Sequence, residues 1–302
     1  MMVFSRKGVP TISLQFTILL SIFALIPIVI ICVLSYRMND IQLTSTSIRL
    51  AEKAVSQVAD NIGTLMQSAE NTASVLSKDA NLQKAHNDFS REASLSTAID
   101  HYIRLNKLFT YLNLSSNFYN IRVYLPDYDR ITCEEYSIFG ISKLDDSKIP
   151  ITMKTEGQES GWYGPYEFTR ISEKKTIFTY YHKLFSYERY SKDNSLICID
   201  ISVERLKEIL LQDLNIESVY FLIDSNGKII LSSIPDSKIN SAIYKIANLI
   251  DENENNLVTI PGKGLCYYRR VPVGNSGWQL IGVIPMNQFR ENNKIILLKL
   301  RT

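Results

Sequence analysis

Three histidines, four cysteines and a few acids in apolar surroundings are the residues of this 302-residue chain whose types could do chemistry. His86, His101 and His182 lie far apart, and the sequence holds no H-E-x-x-H, no G-x-S-x-G and no glycine-rich phosphate loop. Metal-assisted hydrolysis, acyl transfer and phosphoryl transfer therefore have no recognisable machinery. No CxxC occurs either, which leaves a zinc or redox site without support. Cys32 falls within an apolar run, and Cys133, Cys198 and Cys266 read as one disulfide with a spare thiol or as three buried thiols. The acidic runs Glu134-Glu135 and Asp251-Glu-Asn-Glu254 read as solvated faces. No catalytic residue, no metal and no cofactor is expected.

Two features remain that could hold a ligand. Trp162-Tyr163 sits between glycines, where the rings could clamp a small molecule or plug a loop onto a sheet. Asp200 lies in the apolar stretch Ser195 to Ile201, where an unpaired carboxylate is costly. It needs a donor or a ligand cation, or it caps the helix that follows. Asp224, by contrast, belongs to a hairpin turn.

The composition narrows the partners. Lysine and arginine number 33 against 31 acids, for a net charge of +2 with no basic cluster, so nucleic-acid binding is not expected. Hydrophobic residues at 45% are enough for a sizeable core. The 17 tyrosines and 12 phenylalanines, with tyrosines crowded between Tyr102 and Tyr190, suggest β-rich walls with polar tips.

The elements that must position these residues begin with an anchor. Residues 14–34 carry no charge, and the roughly 20 residues that a helix needs to cross a bilayer are thereby supplied. A cleaved signal would have a shorter apolar core of roughly 7 to 15 residues and a small-residue cut site, which Cys32-Val-Leu-Ser-Tyr-Arg37 does not offer. Arg6 and Lys7 precede the span, so residues 1–13 are expected in the cytoplasm and the bulk of the chain outside a single-pass cell-membrane anchor. Residues 294–302 begin a second apolar run, which reads as an amphipathic turn or the start of a truncated second span.

Beyond the anchor, Ile41, Thr44, Ile48, Ala51, Val55, Val58, Ile62, Leu65, Ala69, Thr72 and Leu76 recur at heptad spacing. This predicts one long stalk helix, facing a core, a second copy in a homodimer, or both. A second helix is expected from Leu82 to Leu112 with Ile99, Tyr102, Ile103, Asn106 and Phe109 on its buried side. The period then changes to two. Strands are expected at Asn120–Leu125, Thr176–Phe185 and Ser195–Ile201, with an irregular stretch from Asp127 to Lys175 acting as a lid or pocket wall. Ser202 reads as the N-cap of a helix over Val203–Leu211. The remainder predicts a hairpin around Asp224-Ser-Asn-Gly227, a helix over Ser237–Ile250, and strands at Gly264–Val271 and Trp278–Ile284 joined by Gly274-Asn-Ser-Gly277.

Four strings, Ser160-Gly-Trp-Tyr-Gly164, Leu196-Ile-Cys-Ile-Asp-Ile-Ser202, Phe221-Leu-Ile-Asp-Ser-Asn-Gly-Lys-Ile-Ile230 and Gly277-Trp-Gln-Leu-Ile-Gly-Val-Ile-Pro285, occur in this order across residues 37–293. Together they resemble the double Cache domain of bacterial sensor histidine kinases of the Gram-positive YesM-like group. The resemblance implies an α+β fold in which a long N-terminal transmembrane and stalk helix is followed by two PAS-like antiparallel-sheet modules. These would be stalk helices over residues 40–112, a membrane-distal module over 115–213 and a membrane-proximal module over 215–290. It further implies a small polar metabolite bound by the distal module, with Trp162, Tyr163, Tyr180, His182 and Asp200 at the ligand positions. Where relatives that bind amino acids carry an arginine before the Trp-Tyr pair, this chain has Ser160, and His182 stands where they have an acid. The kinase modules have no counterpart in these residues, so the chain itself is expected to be non-catalytic. The expected role is a sensing input of a two-component receptor. Alternatives are an interaction protein that pairs with full-length receptors, or the input of a chemoreceptor, a cyclic-dinucleotide enzyme or a membrane-bound transcription regulator.

Overall fold

The structure is a computed structural model and describes residues 12–89, 94–125, 137–141, 159–170, 173–184, 195–212, 218–235, 257–260 and 264–286. The chain divides after Ala51. The expected helix over Ser237–Ile250 and the terminal run from Lys294 lie outside the described residues.

One helix, α1, runs over Ile12–Ser77 with Pro27 inside it. Its N-terminal part is long and apolar enough to cross a membrane, with a window of mean hydropathy 2.7 and none of it buried. Phe23 is 81% exposed and Ile31 62%, which suits a lipid surround and is costly in water.

In the unit Glu52–Pro285, the buried side of α1 keeps Val55, Ile62, Ala69 and Leu76 from the expected heptad. The alternate position Val58 is buried as expected together with Ala59, but the next two shift by one residue, because Met66 and Ala73 are buried while Leu65 and Thr72 are only partly so. The result is the broad stripe of a helix laid on other elements, not the narrow seam of a two-helix coil.

The expected helix from Leu82 to Leu112 is two helices, α2 over Ala80–Phe89 and α3 over Leu95–Ser115. Asp79 starts α2 by accepting from the Asn81 and Leu82 backbone N–H groups, and Ser94 caps α3 through Thr97 N–H. The buried face of α3 carries Ala98, His101, Leu105 and Phe109, whereas Ile99 and Ile103 are exposed. A hydrophobicity count misses this face because His101 is made buriable by Asp88, whose Oδ2 lies 2.6 Å from its Nε2.

Two five-stranded sheets follow. The first contains β1 (Asn120–Leu125), β2 (Ile138–Gly140), β3 (Ser160–Arg170), β4 (Glu173–Leu184) and β5 (Ser195–Ser202) in the order β2-β1-β5-β4-β3. All its pairings are antiparallel except β1 with β2. Helix α4 (Val203–Leu211) leaves β5 with Ser202 as its N-cap, as expected, and packs on β4, β5 and β7. The second sheet contains β6 (Val219–Ile223), β7 (Ile229–Ser232), β8 (Leu257–Ile260), β9 (Gly264–Pro272) and β10 (Gln279–Pro285) in the order β7-β6-β10-β9-β8. The β6–β7 turn closes as the sequence requires. Asp224 Oδ1 accepts from the Asn226 and Lys228 N–H groups, and Gly227 takes φ 79°.

Two strands overturn expectations. The supposed irregular stretch from Asp127 to Lys175 contains β3, whose run is broken to the eye by Gly161, Gly164 and Pro165. β8 is four residues long, too short for its alternation to stand out.

Candidate functional site

Alternation along the strands gives each sheet one face toward α1 and one away from it. In the first sheet the inner face carries Trp162, Phe178, Tyr180, Ile197 and Ile199. This is shown by Trp162 Nε1–H donating to Glu70 Oε1 of α1 at 2.9 Å and by His86 of α2 lying 2.6 Å from Ser195 Oγ. In the second sheet the inner face is marked by Arg269, which pairs with Glu52 of α1, and by Gly282, where a Cβ would collide with Val55.

The outer face of the first sheet holds an ionic cluster enclosed by aromatic rings. Arg122 of β1 and Asp200 of β5 are both fully buried. The guanidinium meets the carboxylate with two parallel bonds, Nε–H to Oδ2 and Nη2–H to Oδ1, each 2.7 Å. Such fork-to-fork pairs are stronger than single contacts and fix orientation. Thr179 Oγ1–H donates to Oδ1 at 2.6 Å, while Nη1–H reaches the Tyr124 hydroxyl at 2.7 Å and Nη2–H the Tyr166 hydroxyl at 2.9 Å. The Phe168 ring covers the guanidinium with its centroid 4.1 Å from Cζ. Burial by itself would lower the Arg122 pKa, but the facing Asp200 carboxylate, with Tyr124, Tyr166 and Cys198 adding to it, more than offsets that and holds the group charged. Burial also pushes the Tyr166 hydroxyl up and the Cys198 thiol up to about 12, so both stay protonated.

Beside this cluster Tyr124, Tyr181, Leu196 and Cys198 pack together with Phe139 and Tyr163 on their flank. Tyr163 and Tyr166 share the face although they are three residues apart. The register shifts between them at Gly164, whose missing Cβ would otherwise lie 2.8 Å from the Ile177 carbonyl oxygen. A β-bulge of this kind re-aims a side chain without breaking the pairing. The two rings come to 5.3 Å between centroids.

Of the five residues expected at the ligand positions, Tyr163 and Asp200 lie on this outer face. Trp162, Tyr180 and His182 lie on the other, because each alternates with an outer residue. Trp162 is neither on a free loop nor beside Asp200. Its ring lies tilted against Tyr180 at 5.3 Å and against Trp278 at 5.6 Å between centroids, and Trp278 also meets Phe178 edge-on at 5.0 Å. Nearby, α1 comes close to the β9–β10 turn at Gly63, where a Cβ would approach Gly274 N to 3.1 Å. Burial lowers the His182 pKa, with Lys78 adding to that and Glu159 opposing it. Asp200 has its donors in Arg122 and Thr179, and the helix cap falls to Ser202.

Sequence reading missed Arg122, Tyr124, Tyr166, Thr179 and Tyr181. Arg122 had a signal: a lone charge in the alternating run Asn120-Ile-Arg-Val-Tyr-Leu125, whose apolar neighbours Ile121 and Val123 place it on the opposite face. Cys198 and Cys266 are both buried as thiols, one in each sheet module, and Cys133 lies outside the described residues. Among the described residues no group of histidines, cysteines and acids could hold a metal ion.

No protein-family profile matches the sequence, and no curated protein matches it. Solved structures do. The extracellular domain of vpHK1S-Z8, designated a histidine kinase, superposes with a TM-score of 0.55 at 12% identity over 83% of this chain and 96% of that one. The fold is that of a Cache/PAS-like sensory domain. The periplasmic sensory domain of the Campylobacter jejuni chemoreceptor Tlp1 gives 0.54 at 10% identity, over 81% of this chain and 95% of that one. A domain of a Vibrio parahaemolyticus protein designated sensory box/GGDEF family gives 0.50 at 12%, over 82% and 99%. At these identities the likeness shows the fold of the two-sheet unit.

Proposed function

We propose that this chain is the extracellular sensing input of a bacterial signal-transduction receptor, of the sensor histidine kinase type, and is itself non-catalytic. In this reading residues 1–13 are cytoplasmic, residues 14–34 span the membrane, and the first sheet module, over 115–213, is membrane-distal. A small molecule binds on its outer face, the second module over 215–290 lies nearer the membrane, and two copies associate through the stalk part of α1. The observation that carries the reading is the continuity of α1. One helix has a lipid-compatible segment at its start and, further along, the inner faces of both sheets against it. A ligand that shifts β3 would move Tyr163 on one side of the strand and Trp162, with its bond to Glu70, on the other.

The test uses the full chain in detergent micelles, unfolded by heat against a library of soluble metabolites. A rise in unfolding temperature that is lost in Tyr163→Ala is the expected result. A chain that no compound stabilises, and that an added protease leaves uncut in intact cells, would sink the proposal. Binding at about 100 times the dissociation constant stabilises a protein by roughly 2.7 kcal/mol, well within reach of the measurement.

A further inference from the structure

The acid of the outer face already has a cation. Asp200 is the only buried carboxylate among the described residues, and it is the counter-charge that these residues offer to an ammonium or guanidinium group on this face. Both oxygens are engaged. Oδ2 accepts from Arg122 Nε–H at 2.7 Å, and Oδ1 accepts from Arg122 Nη2–H at 2.7 Å and from Thr179 at 2.6 Å. The guanidinium is in turn fixed by the Tyr124 and Tyr166 hydroxyls and lies under the Phe168 ring. Hydroxyls and a ring about a fixed cation are the groups that hold a bound ammonium or guanidinium in a receptor. Here the cation is part of the chain. The other buried charge on this face, Lys183, is also a cation.

We propose that Arg122 is the built-in occupant of a cation subsite on the outer face of the first sheet. The module's ligand is therefore a molecule without a cationic amine, taken by the neighbouring Tyr163 and Tyr181 without contact to Asp200. Displacing Arg122 would require a buried fork-to-fork pair to be replaced by one with fewer parallel bonds. This specificity rests on the sensing function proposed above, but its first test does not.

The full chain in micelles is compared with Arg122→Ala, each heated with methylguanidinium chloride, with urea as the uncharged control and tetramethylammonium chloride as the cation that cannot donate. Arg122→Ala is expected to unfold at lower temperature and to recover with methylguanidinium alone. The unfolding equilibrium should shift about tenfold at roughly ten times the dissociation constant. The parent chain is expected to be stabilised by none of the three, showing only the general loss of stability that urea and guanidinium salts cause. In a second arm the parent chain is heated with the twenty α-amino acids and with methylammonium, and no stabilisation is expected. Two results overturn the proposal: a folded Arg122→Ala that methylguanidinium leaves unchanged, or a parent chain stabilised by an amine in a way that Asp200→Asn abolishes. If Arg122→Ala does not fold, Arg122→Gln serves in its place, and the second arm needs no variant. Rescue of the Arg122 variant reads the subsite whether or not a natural ligand exists, so a failed metabolite screen leaves this result standing.

Discussion

The two sheets share one strand order and differ in what they turn away from α1. In the central strand pair of the first, Arg122 stands opposite Cys198 and Asp200 opposite Asn120. In the corresponding pair of the second, Phe221 stands opposite Ile281 and Val219 opposite Val283. These four join Ile223, Ile260, Cys266 and Tyr268 in one apolar cluster. The inner faces are alike in being packed against the same helix. The order β2-β1-β5-β4-β3 therefore needs only one apolar face and a helix to cover it, and the opposite face is left open to variation. One module uses that latitude for a polar cluster, and the other fills it with a second apolar layer.

The largest effect separates the two kinds of outer face. Asp200→Ala leaves a buried guanidinium without its counter-charge and is expected to cost about 3–5 kcal/mol in urea unfolding. The double variant Arg122→Met/Asp200→Leu, which gives the first sheet the chemistry of the second, should regain most of this or exceed the parent, since apolar replacement of buried pairs is often neutral or stabilising by about 1–4 kcal/mol. A double variant as unstable as the single would mean that the polar cluster shapes the first sheet itself. The comparison would then fail.

A smaller effect tests the inner faces. Gly282→Ala pushes a methyl group into Val55, and overpacking of this kind costs about 1–3 kcal/mol. Combination with Val55→Ala should restore stability. If it does not, the second sheet is not held against α1 as closely as the first, where Trp162 bonds Glu70.

The smallest effect is acid sensitivity, which the comparison assigns to the first sheet and the helices before it because α2, α3 and β4 carry all three histidines of the chain. Burial depresses the His182 pKa in the folded state, so protonation favours the unfolded chain. Its contribution is fully present above the unfolded value of about 6.5 and is lost as pH falls through the lower folded value. The unfolding temperature should therefore drop as pH is taken below about 6.5, and His182→Gln should flatten that slope. An unchanged slope would show that His182 is not its source.

The parts of this fold legible in the sequence are those where a single period runs unbroken. The stalk helix, β1, β4, β5, β9 and β10 read directly from alternation or helical spacing, and Ser202 and Asp224 mark their turns by side-chain chemistry. β3 is hidden because its bulge at Gly164 interrupts the period that would reveal it. The same bulge hides Tyr166, which strict alternation puts on the wrong face. The site was half legible for a related reason. Tyr163 and Asp200 were found, yet Trp162 and Tyr180, their neighbours by sequence or by resemblance, project to the other side of a pleated sheet. Pairing Arg122 with Asp200 requires knowing that β1 and β5 are adjacent, which neither strand states on its own.

The chain's two tryptophans meet at one place, with ring centroids 5.6 Å apart and planes inclined at 56°. Trp162 belongs to the first sheet and Trp278 immediately precedes the last strand of the second. Indoles this close couple their electronic transitions, so the near-ultraviolet circular dichroism of the native protein carries a signal whose sign and size depend on how the sheets are docked. The molecule thus contains its own optical gauge of the junction, and a change in docking can be recorded without a label.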